Sequence, residues 1–131
     1  MVEEERQKFP DGSAGRVYIG GFSQGCMVSL AAYMMYQGPT ALGGLIGCSG
    51  MQALDLKNVP KPESEEALEK MRRSTPMFLY HGKDDPVLPF KAADKTYEFL
   101  RQEIYDGVNK DTFKYTSENN LAHSLSPKEI R

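Results

Sequence analysis

The chain has no tryptophan, two cysteines and two histidines in 131 residues, and each shortage narrows the chemistry it can carry. Cys26 and Cys48 stand alone in apolar segments, which excludes a disulfide framework or a cysteine-rich metal site. They read as small buried side chains, and a reducing, cytoplasmic setting is expected. No apolar run approaches 18 residues, so no membrane span is expected. Met1-Val2-Glu3-Glu4-Glu5 has neither the basic nor the apolar region of a secretory leader, and none is expected. A dominant sign of charge is also lacking: 16 Lys and Arg face 18 Asp and Glu, with no basic stripe, so nucleic acid is not an expected partner. With 40% apolar residues and no repeat, low-complexity segment or linker, a single domain over residues 1–131 is expected.

What the chain does have is Gly21-Phe22-Ser23-Gln24-Gly25, a G-x-S-x-G set placed between two different patterns. Residues 16–22 are a short β-branched and aromatic run. Residues 24–36 are rich in Ala, Leu and Met with no internal breaker, so a strand leads in and a helix leads out. A sharp strand-to-helix turn of this kind lifts a serine hydroxyl clear of a sheet, which makes Ser23 the candidate nucleophile. Gly21 and Gly25 are expected where any Cβ would clash.

A serine nucleophile needs a base and an orienting acid. His81 follows the apolar run 77–80 and precedes Gly82-Lys83-Asp84-Asp85-Pro86, so it reads as a structural histidine that orders this turn. His123 lies in the polar loop 119–124, between a strand expected at 112–116 and a helix expected to begin near Ser126-Pro127. A lone loop histidine is ordinarily just solvated. His123, however, follows the serine and the acid in the order Ser, Asp, His that the α/β-hydrolase arrangement requires, and it is the expected general base. Asp84 and Asp85 compete as the acid. Pro86 pushes Asp85 out of the helical region, which suits a side chain projecting from a strand end, whereas Asp84 reads as a turn or capping residue; Asp85 is favoured.

In this order, residues 21–30 (GFSQGCMVSL), 79–89 (LYHGKDDPVLP) and 121–124 (LAHS) resemble the three motif blocks of the phospholipase/carboxylesterase family of serine hydrolases, which includes the acyl-protein thioesterases. The resemblance runs through essentially the whole chain. It implies a triad of Ser23, Asp85 and His123 that cleaves carboxylic ester or thioester bonds through an acyl-enzyme. The implied substrate is a small acyl ester or thioester, or an acylated protein, and no cofactor or metal is implied. Two features depart from the family pattern. The family carries, well before the nucleophile, a His-Gly-rich loop whose backbone N–H supplies half of the oxyanion hole; nothing in residues 1–20 matches it, leaving the Gln24 N–H as the recognisable donor. Asn119 and Asn120 stand where the family usually has Gly and Met. One missing oxyanion donor costs about 10² to 10³ in turnover, which describes a slow hydrolase. The alternative is a catalytically impaired hydrolase-like module that acts in binding.

The remaining pattern is alternating. A charged helix over residues 2–9 ends at Pro10-Asp11-Gly12, and further strands are expected at 42–48, 77–81 and 112–116. A charged, solvent-facing helix is expected at 65–73, and a second at 91–105 with Ala92, Tyr97, Leu100 and Ile104 as its apolar positions. The expected fold class is α/β: a truncated α/β-hydrolase fold with a mostly parallel sheet of about four strands and flanking helices. Residues 51–59, with Met51, Leu54 and Leu56, read equally as a wall for an acyl chain and as ordinary packing. Relative to the family, the nucleophile strand becomes a sheet edge and one sheet face loses its cover, so a homo-oligomer is expected.

Overall fold

A computed structural model of the chain describes residues 1–127, and of Leu56 its backbone alone. The helix expected from Ser126-Pro127 onward falls mainly on residues 128–131, outside the described residues. A short helix α1, Val2–Arg6, precedes four strands: β1 Tyr18–Phe22, β2 Gly44–Cys48, β3 Met77–Gly82 and β4 Phe113–Glu118. The strands lie side by side in chain order and every pair is parallel. Parallel neighbours need long connections, and α2 Gln24–Met35, α3 Glu65–Arg73 and α4 Phe90–Glu103 fill the three gaps in turn.

Because the strand order never reverses, right-handed crossovers put all three helices on the same face of the sheet. That face is the core, where Leu45, Met77, Leu79 and Phe113 meet Leu30, Leu100 and Ile104. The opposite face is partly open: Tyr18 is 68% exposed, Ile46 54% and Phe22 38%. Cys48 and Tyr80, in register with Phe22 near the carboxyl ends of the strands, are buried. Among the described residues β1 is an edge, paired with β2 only, and its sequence Tyr-Ile-Gly-Gly-Phe has no charge or proline to discourage further pairing. The far edge, β4, carries Lys114 and Glu118.

Local chemistry explains where the elements begin and what they bury. The first strand is two residues shorter than its apolar run. Ser13 accepts the Gly15 N–H at 3.1 Å and starts a 3₁₀ turn over Ala14–Arg16 that takes up residue 16. The α2 helix buries Cys26, Ser29, Leu30, Tyr33 and Met34, the i, i+3, i+4, i+7, i+8 stripe of a helix laid on a sheet. Ser64 caps α3 by accepting the Ala67 N–H at 3.2 Å, and this helix is not wholly solvent-facing, since it buries Met71. The buried seam of α4 is Ala93, Thr96 and Leu100, one step away from the expected Ala92 and Tyr97. Thr96 is tolerated there because its hydroxyl donates to the Ala92 carbonyl and accepts from the Gln52 amide. Tyr97 instead stacks on Phe113 and Tyr115 of β4.

Candidate active site

The carboxyl end of β1 runs directly into α2 through Ser23, whose backbone is forced to φ 57° and ψ −119°. A non-glycine residue in that region is strained, and the surroundings hold it there. The Ser23 amide donates to the Cys48 carbonyl at 2.9 Å, continuing the β1–β2 ladder past the strand end, while the next residue already belongs to the helix. The turn closes because Gly21 lies against the backbone of Gly25: a Cβ on Gly21 would sit 2.3 Å from the Gly25 carbonyl carbon. Gly25 itself differs from the expectation, since a Cβ there meets nothing within 4 Å. Only one of the two glycines is required by space. The first turn of α2 is seated by Cys26, packed where a Cβ on Gly47 or Gly50 would collide with it. Burial pushes the Cys26 thiol up to about 12, which keeps it protonated and inert.

Across from Ser23 stands His123, 100 residues later in the chain. Its Nε2 lies 2.8 Å from the Ser23 Oγ, and its Nδ1 lies 2.7 Å from Asp85 Oδ2. An ionised carboxylate only accepts, so the proton between them sits on Nδ1 and leaves Nε2 free to accept from the serine hydroxyl. The Asp85 side chain is fully buried, and its other oxygen accepts the Val87 and Leu88 amides at 2.8 Å each. Burial, the largest influence, works to raise the Asp85 carboxyl. The hydrogen bonds from His123, Leu88 and Val87 and the charge of His123 together outweigh it and leave the group below its ordinary value.

The end of β3 positions both loops. The histidine loop lies directly on Gly82, where a Cβ would be 2.1 Å from the Leu121 carbonyl oxygen. Asp84 donates its amide to that same carbonyl at 3.1 Å, and its carboxylate accepts the Asn120 amide at 2.7 Å. Asn120 takes the left-handed turn at φ 58°, a conformation asparagine tolerates, so the asparagine at this departure from the family pattern suits its backbone. The structure thus brings Ser23, His123 and Asp85 together and leaves Asp84 outside, holding the loop.

Sequence reasoning missed Phe22, whose ring centroid is 4.9 Å from that of His123, and the Val87 and Leu88 amides on Asp85. The amides were findable, since an aspartate before a proline commonly accepts from the two following N–H groups of its turn. Gln24 opens α2, so its amide is one of the helix's first donors without an intrahelical acceptor. Helix α1 packs against the 3₁₀ turn that leads into β1, and lines a groove with the opening residues of β1, at the end remote from Ser23. Of the candidate acyl wall, Met51 and Leu54 line a groove of about 560 Å³ with Ala92, Thr96 and Phe99; the Leu56 side chain lies outside the described residues. Among the described residues no group of His, Cys, Asp or Glu is arranged to hold a metal ion, and no helix is long and apolar enough to cross a membrane.

A parallel sheet with a strained serine at a strand-to-helix turn, and an aspartate and a histidine in the loops after β3 and β4, defines the α/β-hydrolase class. Within that class the chain belongs to the phospholipase/carboxylesterase family, whose model matches residues 2–131. It is 37% identical over 117 residues to acyl-protein thioesterase 1 of Yarrowia lipolytica, covering 89% of this chain and 46% of that protein. It is 33% identical over 129 residues to acyl-protein thioesterase 1 homolog 1 of Dictyostelium discoideum, covering 98% and 49%. The crystal structure of Zea mays acyl-protein thioesterase 2 superposes with a TM-score of 0.76 at 25% identity, covering 98% of this chain and 57% of that one. The chain therefore spans about half the length of the relatives it matches.

Proposed function

We propose that the chain is a serine hydrolase of carboxylic esters or thioesters, with Ser23 as nucleophile, His123 as general base and Asp85 as the orienting acid. The observation that carries this reading is the unbroken hydrogen-bond relay from the Ser23 Oγ through His123 to Asp85, at 2.8 and 2.7 Å. As Ser23 Oγ attacks the substrate carbonyl carbon, its proton passes to His123 Nε2, and Asp85 stabilises the imidazolium. The carbonyl oxygen becomes an oxyanion that the Gln24 N–H receives. Collapse breaks the bond to the alkoxide or thiolate, which takes the proton from Nε2, and leaves an acyl-serine. Water then attacks the acyl carbon, giving its proton to Nε2, and departure of Ser23 Oγ with that proton restores the enzyme.

Exposed apolar side chains flank the triad residues along the chain, which suits an acyl substrate. Phe22, Val87 and Leu125 are exposed apolar side chains, and each lies within two residues of a triad member. The groove beginning at Met51 adds apolar wall beside Gly50, where a Cβ would be 3.1 Å from the Ser23 carbonyl oxygen. An acylated protein is the larger substrate this reading admits, and two buried free cysteines fit a cytoplasmic location. The unprotected β1 edge and the exposed Tyr18 and Ile46 favour self-association as a homo-oligomer.

A fluorophosphonate probe tests the chemistry. Covalent labelling at Ser23, lost in Ser23→Ala and in His123→Ala, is the expected result. Folded protein that does not label is the mark of the impaired binding module. Sedimentation tests the assembly, and a monomer at micromolar concentration refutes self-association.

A further inference from the structure

Beyond the three residues of the relay, the carboxyl end of β3 holds a second histidine, His81, expected from the sequence to order the turn that follows it. His81 is 1% exposed and lies in β3 in register with Ser117, so its backbone is fixed by the sheet. Its Nε2 is 2.8 Å from the Leu88 carbonyl oxygen. A carbonyl oxygen only accepts, so Nε2 carries the proton and Nδ1 is the bare nitrogen, buried and without a hydrogen-bond partner. The same Nε2 lies 3.4 Å from Asp85 Oδ2, the oxygen that accepts from His123. Leu88 completes a closed circuit: its amide donates to Asp85 Oδ1 at 2.8 Å while its carbonyl accepts from His81.

Each member of that circuit limits the others. The Val87 and Leu88 amides orient the Asp85 carboxylate only while the turn 85–88 keeps its shape. The side-chain anchor on the carbonyl side of that turn is His81 Nε2. The nitrogen that donates to Leu88 also lies 3.4 Å from the carboxylate oxygen that His123 uses.

We propose that His81 is a positioning residue for Asp85, holding the acid's turn through the Leu88 carbonyl and fixing the carboxylate against His123; this rests on the reading of Asp85 as the triad acid. Its role is set by one N–H donor at the Nε2 position. Glutamine places an amide N–H at nearly that reach, whereas methionine fills similar volume and donates nothing.

The tests separate this proposal from the hydrolase reading. In ¹⁵N-histidine spectra of the wild-type protein, His81 is expected as the Nε2–H tautomer and His123 as the Nδ1–H tautomer; an Nδ1–H tautomer at His81 overturns the proposal whether or not the protein hydrolyses anything. The His123 Nδ1 proton signal should exchange with solvent faster in His81→Met and return to wild-type behaviour in His81→Gln. With ester substrate, His81→Met should lower kcat by about 10-fold and leave KM unchanged, with most of kcat restored in His81→Gln. In an Asp85→Asn background the same His81→Met change should cost nothing further, because its route to the reaction is gone. A folded His81→Met with wild-type kcat, an undiminished effect in Asp85→Asn, or a His81→Gln as impaired as His81→Met each refutes the role. Should His81→Met not fold, the wild-type tautomer and the His81→Gln signal still decide it.

Discussion

Gly21 and Gly25 occupy equivalent places in the G-x-S-x-G motif, yet alanine at each should act in opposite directions. An added Cβ on Gly21 would stand 2.3 Å from the Gly25 carbonyl carbon and 2.5 Å from its oxygen, both backbone atoms with no rotamer to yield. Ordinary carbon contacts lie near 3.5–4.0 Å, so β1 and the first turn of α2 must separate by roughly 1 Å. Overpacking of this kind costs about 1–3 kcal/mol, against a gain of about 0.4–1 kcal/mol from the less flexible unfolded chain. The net expectation for Gly21→Ala is a loss of about 1–2 kcal/mol, and a urea midpoint lowered by about 0.5–1 M. The same separation moves Ser23 away from the 2.8 Å contact with His123, lowering turnover on the order of 10²-fold. Gly25 is helical with open space around its Cβ position, so Gly25→Ala should raise stability by about 0.5–1 kcal/mol. Urea titrations of the two variants, with ester turnover measured alongside, decide the matter. A Gly25→Ala protein less stable than Gly21→Ala would refute the reasoning.

Three other outcomes can be stated with their measurements. Asp85→Asn should reduce ester turnover by roughly 10⁴-fold by disturbing the His123 tautomer, while Asp84→Asn, which keeps an oxygen for the Asn120 amide, should stay near wild type; steady-state kinetics of the pair checks the assignment. Because Asp85 is held below its ordinary value in the folded protein, it stabilises the fold above the unfolded carboxylate range. That contribution should disappear as pH falls through its own lower value, and the acid limb of a urea-midpoint profile should be shallower in Asp85→Asn. A thiol reagent at pH 8 should leave Cys26 unmodified in folded protein and modify it in denaturant, read by mass spectrometry, since burial pushes its thiol up to about 12.

What could be read from the chain and what could not divide along physical lines. Ser23 stood out by its G-x-S-x-G setting between a strand and a helix pattern, Asp85 by the proline after it, and His123 by following both in the order Ser, Asp, His. All three come together in the structure. The strands and helices were legible from their periods, with errors of one to three residues at their ends: α1 stops at Arg6 rather than residue 9, and Ser13 starts a 3₁₀ turn that shortens β1. The buried seam of α4 was misplaced because Thr96 counts as polar in a pattern, although its hydroxyl is fully used inside the helix and by Gln52. The same blindness hid the buried contact in which the Tyr33 hydroxyl meets that of Tyr105, which in turn donates to the Thr75 carbonyl. No period reports a hydrogen bond between residues 72 apart. Gly25 shows the converse error, a motif residue whose neighbours leave it room.

The hydrogen bond from Ser23 to His123 closes a loop of 100 residues, with all four strands inside or at the ends of that span. The contacts within α2 and α4 are local in the chain, whereas this contact needs β4 paired with β3 and the turn beyond it. A chain that has collapsed with its helices in place but without β4 would give nearly full helical signal and no relay. Labelling of Ser23 during refolding would therefore lag the far-ultraviolet signal, and the gap between the two would time the docking of the final strand.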